Sequence, residues 1–242
     1  MQEQNPEEAD LSLELRSFGR KRGRSLSPRQ AQLLAEVLPR VAVDLTAPAK
    51  FSAPSGRLPE GESEGANEVW LEIGFGGAEH LIWQASQNPH VTLIGCEPFI
   101  DGVVKALSGI DEGKLTNVRI HADDARPLLR WLQPRTLDRA FILFPDPWPK
   151  KKHVKRRLVG KPLLDLLARA LKPGAQLRIG TDIGDYARTL LLAFEQTPSF
   201  KWTATAPGDW RQRPADWPPT RYEAKAIREG RARYFFTFER VS

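Results

Sequence analysis

A single cysteine, Cys96, stands in 242 residues. One thiol closes no disulfide within the chain and builds no thiolate metal cluster, which suits a reducing cytoplasm. No apolar run reaches the ~20 residues that a helix needs to cross a bilayer. The first ten residues carry Glu3, Glu7, Glu8 and Asp10, and so lack the basic-then-apolar order of a secretory leader. An acidic excess is missing too. Thirty-six Lys and Arg against 30 Asp and Glu leave a formal charge of +6, which leans toward a polyanionic partner. No segment repeats.

What is present fits one domain with a tail. A hydrophobic share of 40% in 242 residues is enough to bury a core and shape a cleft. Residues 1–27 hold few apolar side chains and turn basic at Arg16, Arg20, Lys21, Arg22 and Arg24, the pattern of a flexible basic tail. Residues 28–45 read as a helical segment. Ser27 is its N-cap, Pro28 its first residue, Leu33, Leu34, Val37 and Leu38 its apolar face, and Pro39 its end. Residues 46–67 are rich in Pro, Gly, Ser, Ala and Glu and read as a linker.

From residue 68 to 242 the pattern changes. Short apolar strands are expected at 69–73, 91–96, 118–120, 140–144 and 177–179. Helices are expected near 78–87, 99–108, 126–133, 161–171 and 184–195. Such alternation means a parallel sheet covered by helices on both faces. Two further strands, at 201–205 and 233–238, close the sheet without that alternation, with a helix near 222–229 between them. The expected fold is a Rossmann-like α/β domain with a mostly parallel, seven-stranded sheet.

Ligands in such sheets bind beyond the carboxyl ends of the strands. Glu72-Ile73-Gly74-Phe75-Gly76-Gly77 follows the first strand, and Gly74 and Gly76 let backbone approach a ligand. Glu97 ends the second strand 23 residues after Gly74, where a carboxylate accepts from ribose hydroxyls. A dinucleotide motif would place a third glycine where Glu79 stands. A carboxylate there is a poor neighbour for pyrophosphate, so a phosphate-free nucleoside such as S-adenosylmethionine fits better than NAD. Asp123-Asp124 follows the third strand. Either residue can cap the next helix, and either can accept from an adenine amine.

The fourth strand runs into Phe144-Pro145-Asp146-Pro147-Trp148-Pro149-Lys150. Three prolines in five residues stiffen the backbone and remove three donors. Asp146 is held there beside Trp148, which is either a stacking platform for a base or a core aromatic. Lys150, Lys151, Lys152, Lys155, Arg156 and Arg157 follow as candidate phosphate contacts, with His153 among them. A single residue, Pro147, separates Asp146 from Trp148, one proline short of the signature of amino-group methyltransferases.

At these residues the chain resembles the bacterial tRNA (guanine-N7)-methyltransferase family of class I enzymes. The resemblance runs from Arg16-Ser17-Phe18 nearly to the C-terminus. It is carried by Glu72 to Gly76, Pro145 to Lys150, Gly180-Thr181-Asp182 and Thr220-Arg221-Tyr222-Glu223. It implies that Glu72, Gly74, Glu97, Asp124 and Asp146 hold S-adenosylmethionine. It implies catalysis at Asp146, and tRNA contacts at Lys150, Asp182, Thr220, Arg221, Tyr222 and Glu223. Asp182 and Glu223 would accept from the N1–H and N2 amine of guanine. The implied protein is a cytoplasmic monomer or weak homodimer, without a metal or a membrane. An NAD-dependent oxidoreductase and a non-catalytic RNA-binding module are the competing readings. Glu79 stands against the first, and intact Glu72, Glu97 and Asp146 against the second.

Overall fold

The fold is taken from a computed structural model of the chain, which describes residue 23 and residues 25–47 and 68–241. The basic stretch from Arg16 to Arg22, Arg24 and most of the 46–67 linker lie outside the described residues.

Helix α1 (Pro28–Glu36) begins at a reciprocal cap. The Ser27 side chain accepts from the Gln30 N–H, and the Gln30 side chain accepts from the Ser27 N–H at 2.9 Å. Pro39 does not end the helical segment as expected. It sits in the first turn of a second short helix, α2 (Leu38–Val41), where a missing N–H costs nothing. Leu33, Val37 and Val41 are buried in the core on one face of the sheet. Val43 continues the segment by donating to Ile120 O at 2.9 Å.

The remaining elements are β1 (Val69–Ile73), α3 (Glu79–Gln87), β2 (Thr92–Cys96), α4 (Ile100–Gly113), β3 (Val118–His121), α5 (Ala125–Trp131) and β4 (Leu137–Leu143). After them come α6 (Lys161–Ala170), β5 (Leu171–Thr181), α7 (Gly184–Glu195), β6 (Phe200–Trp202), α8 (Gly208–Arg211), α9 (Arg221–Arg228) and β7 (Tyr234–Arg240). A 3-10 turn, Lys151–Arg156, lies between β4 and α6. The seven strands order as β3-β2-β1-β4-β5-β7-β6. All pairs are parallel except those that β7 makes with β5 and β6.

Alternation along the strands explains the two-sided core. Val69, Leu71 and Ile73 of β1, with Ala140 and Ile142 of β4, pack against α5, α6 and α7. Trp70 of β1 and Phe141 and Leu143 of β4 face α1, α3 and α4. Both faces of the central strands are dry, so these strands read as continuous apolar runs. The chain crosses from β3 back past β1 to β4, and the crevice opens at that reversal. Strand β5 is longer than its apolar stretch suggests, because β4 and β7 pair along both of its sides.

Candidate active site

A cleft of about 590 Å³ lies over the carboxyl ends of β1, β2, β3 and β4. Gly74 and Gly76 line it from β1, Glu97 and Phe99 from β2, Asp123, Asp124 and Arg126 from β3, and Phe144, Asp146 and Trp148 from β4. Tyr222 of α9 reaches in from the far end of the chain.

The glycine turn is built for close approach. Gly74 has φ +74° and Gly76 φ +52°, which side chains resist. A methyl group at Gly76 would sit 2.8 Å from the Tyr222 hydroxyl. Gly74 also donates to Cys96 O at 2.8 Å, tying the turn to the end of β2.

Glu97 is buried and fixed. Its Oε2 accepts from the Gly76 N–H and its Oε1 from the Phe99 N–H, each at 2.9 Å. Burial pushes its carboxyl up from the usual value, and these two N–H groups partly offset that. Tyr222 faces the same region. Burial first, and then the charge of Glu97, raises its phenol, so it stays protonated and available as a donor.

Of the two adjacent aspartates, Asp124 is the helix cap. It accepts from the Arg126 N–H at 2.8 Å and pairs with the Arg126 guanidinium at 3.0 Å. Asp123 and Asp124 both line the cleft.

Asp146 is exposed on the cleft wall, within the segment that Phe144 and Trp148 bracket. Both bracketing residues have positive φ, +52° and +42°, conformations that persist only where the surroundings over-determine them. Phe144 N donates to Gly180 O at 2.7 Å and pins the near end of the segment. Trp148 is not a core aromatic. It lines the cleft, with the Arg156 guanidinium 5.1 Å from its ring centre and the His153 ring 5.7 Å away, edge-on. Desolvation, then the charges of Arg156 and Lys150, hold the His153 imidazole below its usual value.

Lys150, Lys151, Lys152 and Lys155 are exposed, as phosphate contacts require. Arg157 departs from the expectation. Its side chain is 3% exposed and bonded to protein on every side.

The other expected residues are placed as follows. Glu72 lies beneath the glycine turn rather than on the cleft wall, with Oε2 2.8 Å from His80 Nδ1. Thr220 caps α9 by accepting from the Glu223 N–H. Arg221 turns outward to Glu79. Glu223 is buried and ion-paired with Arg213 at 3.1 Å. Asp182 takes Nε and Nη2 of Arg231 on its Oδ2, at 2.7 and 2.6 Å. Of the Thr220–Glu223 block, Tyr222 alone enters the main cleft. A narrow crevice joins Thr220 and Tyr222 to Glu72, Gly74 and Phe144.

Residues 66–236 match the family described as "Putative methyltransferase". A protein of Hyphomonas neptunium named tRNA (guanine-N(7)-)-methyltransferase is 49% identical over 88% of this chain and 94% of its own. A protein of Chelativorans sp. with the same name is 41% identical over the full length of both. The chain belongs to the bacterial tRNA (guanine-N7)-methyltransferase family. The solved structure of the 16S rRNA methyltransferase KamB, 14% identical, superposes with a TM-score of 0.51 over 72% of this chain and 88% of its own, and shows the shared fold. In this methyltransferase, as in its class, the cofactor is S-adenosylmethionine. Among the described residues no helix is long and apolar enough to cross a membrane, and no cluster of His, Cys, Asp and Glu suits a metal ion.

The sequence did not point to His80, Phe99, Arg126, Arg213 or Arg231 at the candidate site. Arg126 was within reach, because an arginine two residues after a capping aspartate can fold back on it. Arg231 was not, since 49 residues separate it from Asp182.

Proposed function

We propose that this methyltransferase modifies N7 of a guanine in the variable loop of tRNA, with Asp146 orienting the base. The placement of Asp146 carries the reading. Its carboxylate stands on a rigid proline segment, on the wall of the cleft that Glu97 and the glycine turn also line.

The residues fit the cofactor by the chemistry of their donor and acceptor groups. Glu97, held by two backbone N–H groups, presents a carboxylate to ribose hydroxyls. Gly74 and Gly76 leave room for the methionyl part. Asp123 or Asp124 meets the adenine amine. S-adenosylmethionine supplies an electrophilic methyl group on a sulfonium sulfur.

Guanine N7 has a lone pair and no proton, so the site needs no general base. What it needs is alignment, and fixed geometry supplies that. The methylated purine carries positive charge, which a neighbouring carboxylate offsets as it develops. Asp146 is that carboxylate. Trp148 offers the base a face, and Tyr222 a hydroxyl donor. Asp182 Oδ2 is taken by Arg231, so Oδ1 is the oxygen it offers to guanine. The exposed Lys151, Lys152 and Lys155 meet phosphates, Lys150 steadies the target nucleotide, and the enzyme acts in the cytoplasm.

Incubating the protein with bulk tRNA and tritiated S-adenosylmethionine, followed by nucleoside analysis, tests this. Label in 7-methylguanosine is expected. Label in another nucleoside, or none, would sink the reading.

A further inference from the structure

Arg157 sits at the end of a cationic run whose lysines face solvent, yet it is turned inward. Its Nε donates to the Pro147 carbonyl at 2.9 Å. Its Nη1 donates to Thr189 Oγ1 at 2.7 Å and to Asp185 O at 3.3 Å. Its Nη2 pairs with the Asp185 carboxylate. The guanidinium lies 5.0 Å from the ring centre of Tyr186, and that residue's hydroxyl accepts from the Val159 N–H at 3.0 Å. A buried cation persists only when it is paired and its donors are used. Here α7 supplies all the partners except one, and that one is Pro147.

Pro147 directly follows Asp146. Its carbonyl is its one polar backbone group, since proline has no N–H. The segment around Asp146 thus has two anchors: Phe144 N on Gly180 O, and Pro147 O on Arg157. Between and beside them stand the two left-handed residues, Phe144 and Trp148. Such conformations relax unless something holds both ends.

We propose that Arg157 is a positioning residue that clamps the Pro147 carbonyl to α7 and thereby fixes the Asp146 carboxylate on the cleft wall, and that it makes no phosphate contact. The planar fork explains the choice of arginine. It reaches four acceptor atoms on three residues at fixed angles, whereas lysine presents one point charge on a flexible stem. The catalytic consequence rests on the proposed role of Asp146; the clamp itself does not.

The test uses Arg157→Lys and, as a milder lesion within the clamp, Thr189→Val. Three quantities are read: single-turnover methylation at saturating tRNA, the salt dependence of tRNA affinity, and hydrogen exchange of the peptide spanning residues 143–153. For Arg157→Lys the saturating rate should fall about 10–100-fold, the scale of an ångström-sized misplacement. Thr189→Val should lose less, in the same direction. A third variant, Arg157→Gln, removes the charge, and its salt slope should stay at the wild-type value, where a lost phosphate contact would shrink it by roughly 0.7–0.9. The 143–153 peptide should exchange faster. A reduced salt slope with an intact saturating rate would overturn the clamp, as would a lower melting temperature with rate and exchange both at wild type. Should Arg157→Lys fail to fold, Thr189→Val decides by the same criteria. If wild-type protein places no methyl on N7, the proposed reaction falls, and hydrogen exchange alone judges the clamp: unchanged protection in the variants rejects it.

Discussion

Glu72 and His80 form a buried pair, Oε2 to Nδ1 at 2.8 Å, under the glycine turn. Gln84 settles which ring nitrogen carries the proton. Its Oε1 accepts from Asn88 and its Nε2 donates to Asp216 O, so Nε2 is also the atom that faces His80 Nε2 at 3.2 Å. His80 Nε2 therefore accepts, and Nδ1–H donates to Glu72. The chain of bonds links β1 to the segment that leads into Thr220. His80→Phe would keep the ring contacts with Phe141 and Trp217 but strand the Glu72 carboxylate. Unfolding free energy should drop by about 1.5–3 kcal/mol, the range for a hydrogen bond to a charged group. Urea denaturation measures it, and an unchanged midpoint would remove the pair from the account of stability.

Glu97→Ala should weaken S-adenosylmethionine binding by roughly 1–3 kcal/mol through lost charge-assisted hydrogen bonds. Calorimetry on the folded variant decides, and unchanged affinity rejects the ribose assignment.

The same residue makes cofactor affinity depend on pH. Burial raises the Glu97 carboxyl above its unfolded value. The folded protein therefore holds this proton more tightly than the unfolded chain. Ionising it lowers stability as pH rises through the folded value, while the ionised form is the one that accepts from ribose. Affinity should fall as the pH drops, starting above the ordinary carboxylate range. Glu97→Gln should flatten that limb. A limb that persists in the glutamine variant points to another group.

Asp146→Asn keeps shape and loses charge. Because N7 carries no proton, the variant should methylate more slowly without any change in the form of the pH–rate profile. An ionisation near neutral pH that is present in the wild type and absent from the variant would mean that Asp146 accepts a proton.

The lysines should divide by position. Lys150 is four residues from Asp146, and Lys150→Ala should lower turnover even at saturating tRNA, because the target base loses its alignment. Lys152→Ala and Lys155→Ala should instead weaken tRNA binding and shrink the salt slope by roughly 0.7–0.9 each. Single-turnover assays across a salt series separate the two behaviours. An effect of Lys150→Ala on affinity alone would move it to the phosphate contacts.

Much of the fold and of the candidate cleft was legible before folding, for local reasons. The apolar–helical alternation determined a doubly covered parallel sheet, because strands buried on both faces must be apolar throughout. Turn chemistry marked Gly74 and Gly76, spacing marked Glu97, and the prolines marked Asp146. Pro39 was misread because proline stops a helix and also starts one, and only the break after Glu36 distinguishes the two.

What the tertiary structure alone decided is how the charges pair. Arg157 and Lys155 are alike to a sequence reader, yet one is buried against α7 and the other faces solvent. Asp182 meets Arg231, Glu223 meets Arg213 and Glu72 meets His80, and no periodicity encodes those meetings. A charge's local sequence sets its identity, but its environment depends on which elements pack over it. Helix and strand patterns arise from neighbours three, four or two residues apart. Ion pairs and buried hydrogen bonds arise from elements that meet across the fold, so they emerge only once the sheet order is complete.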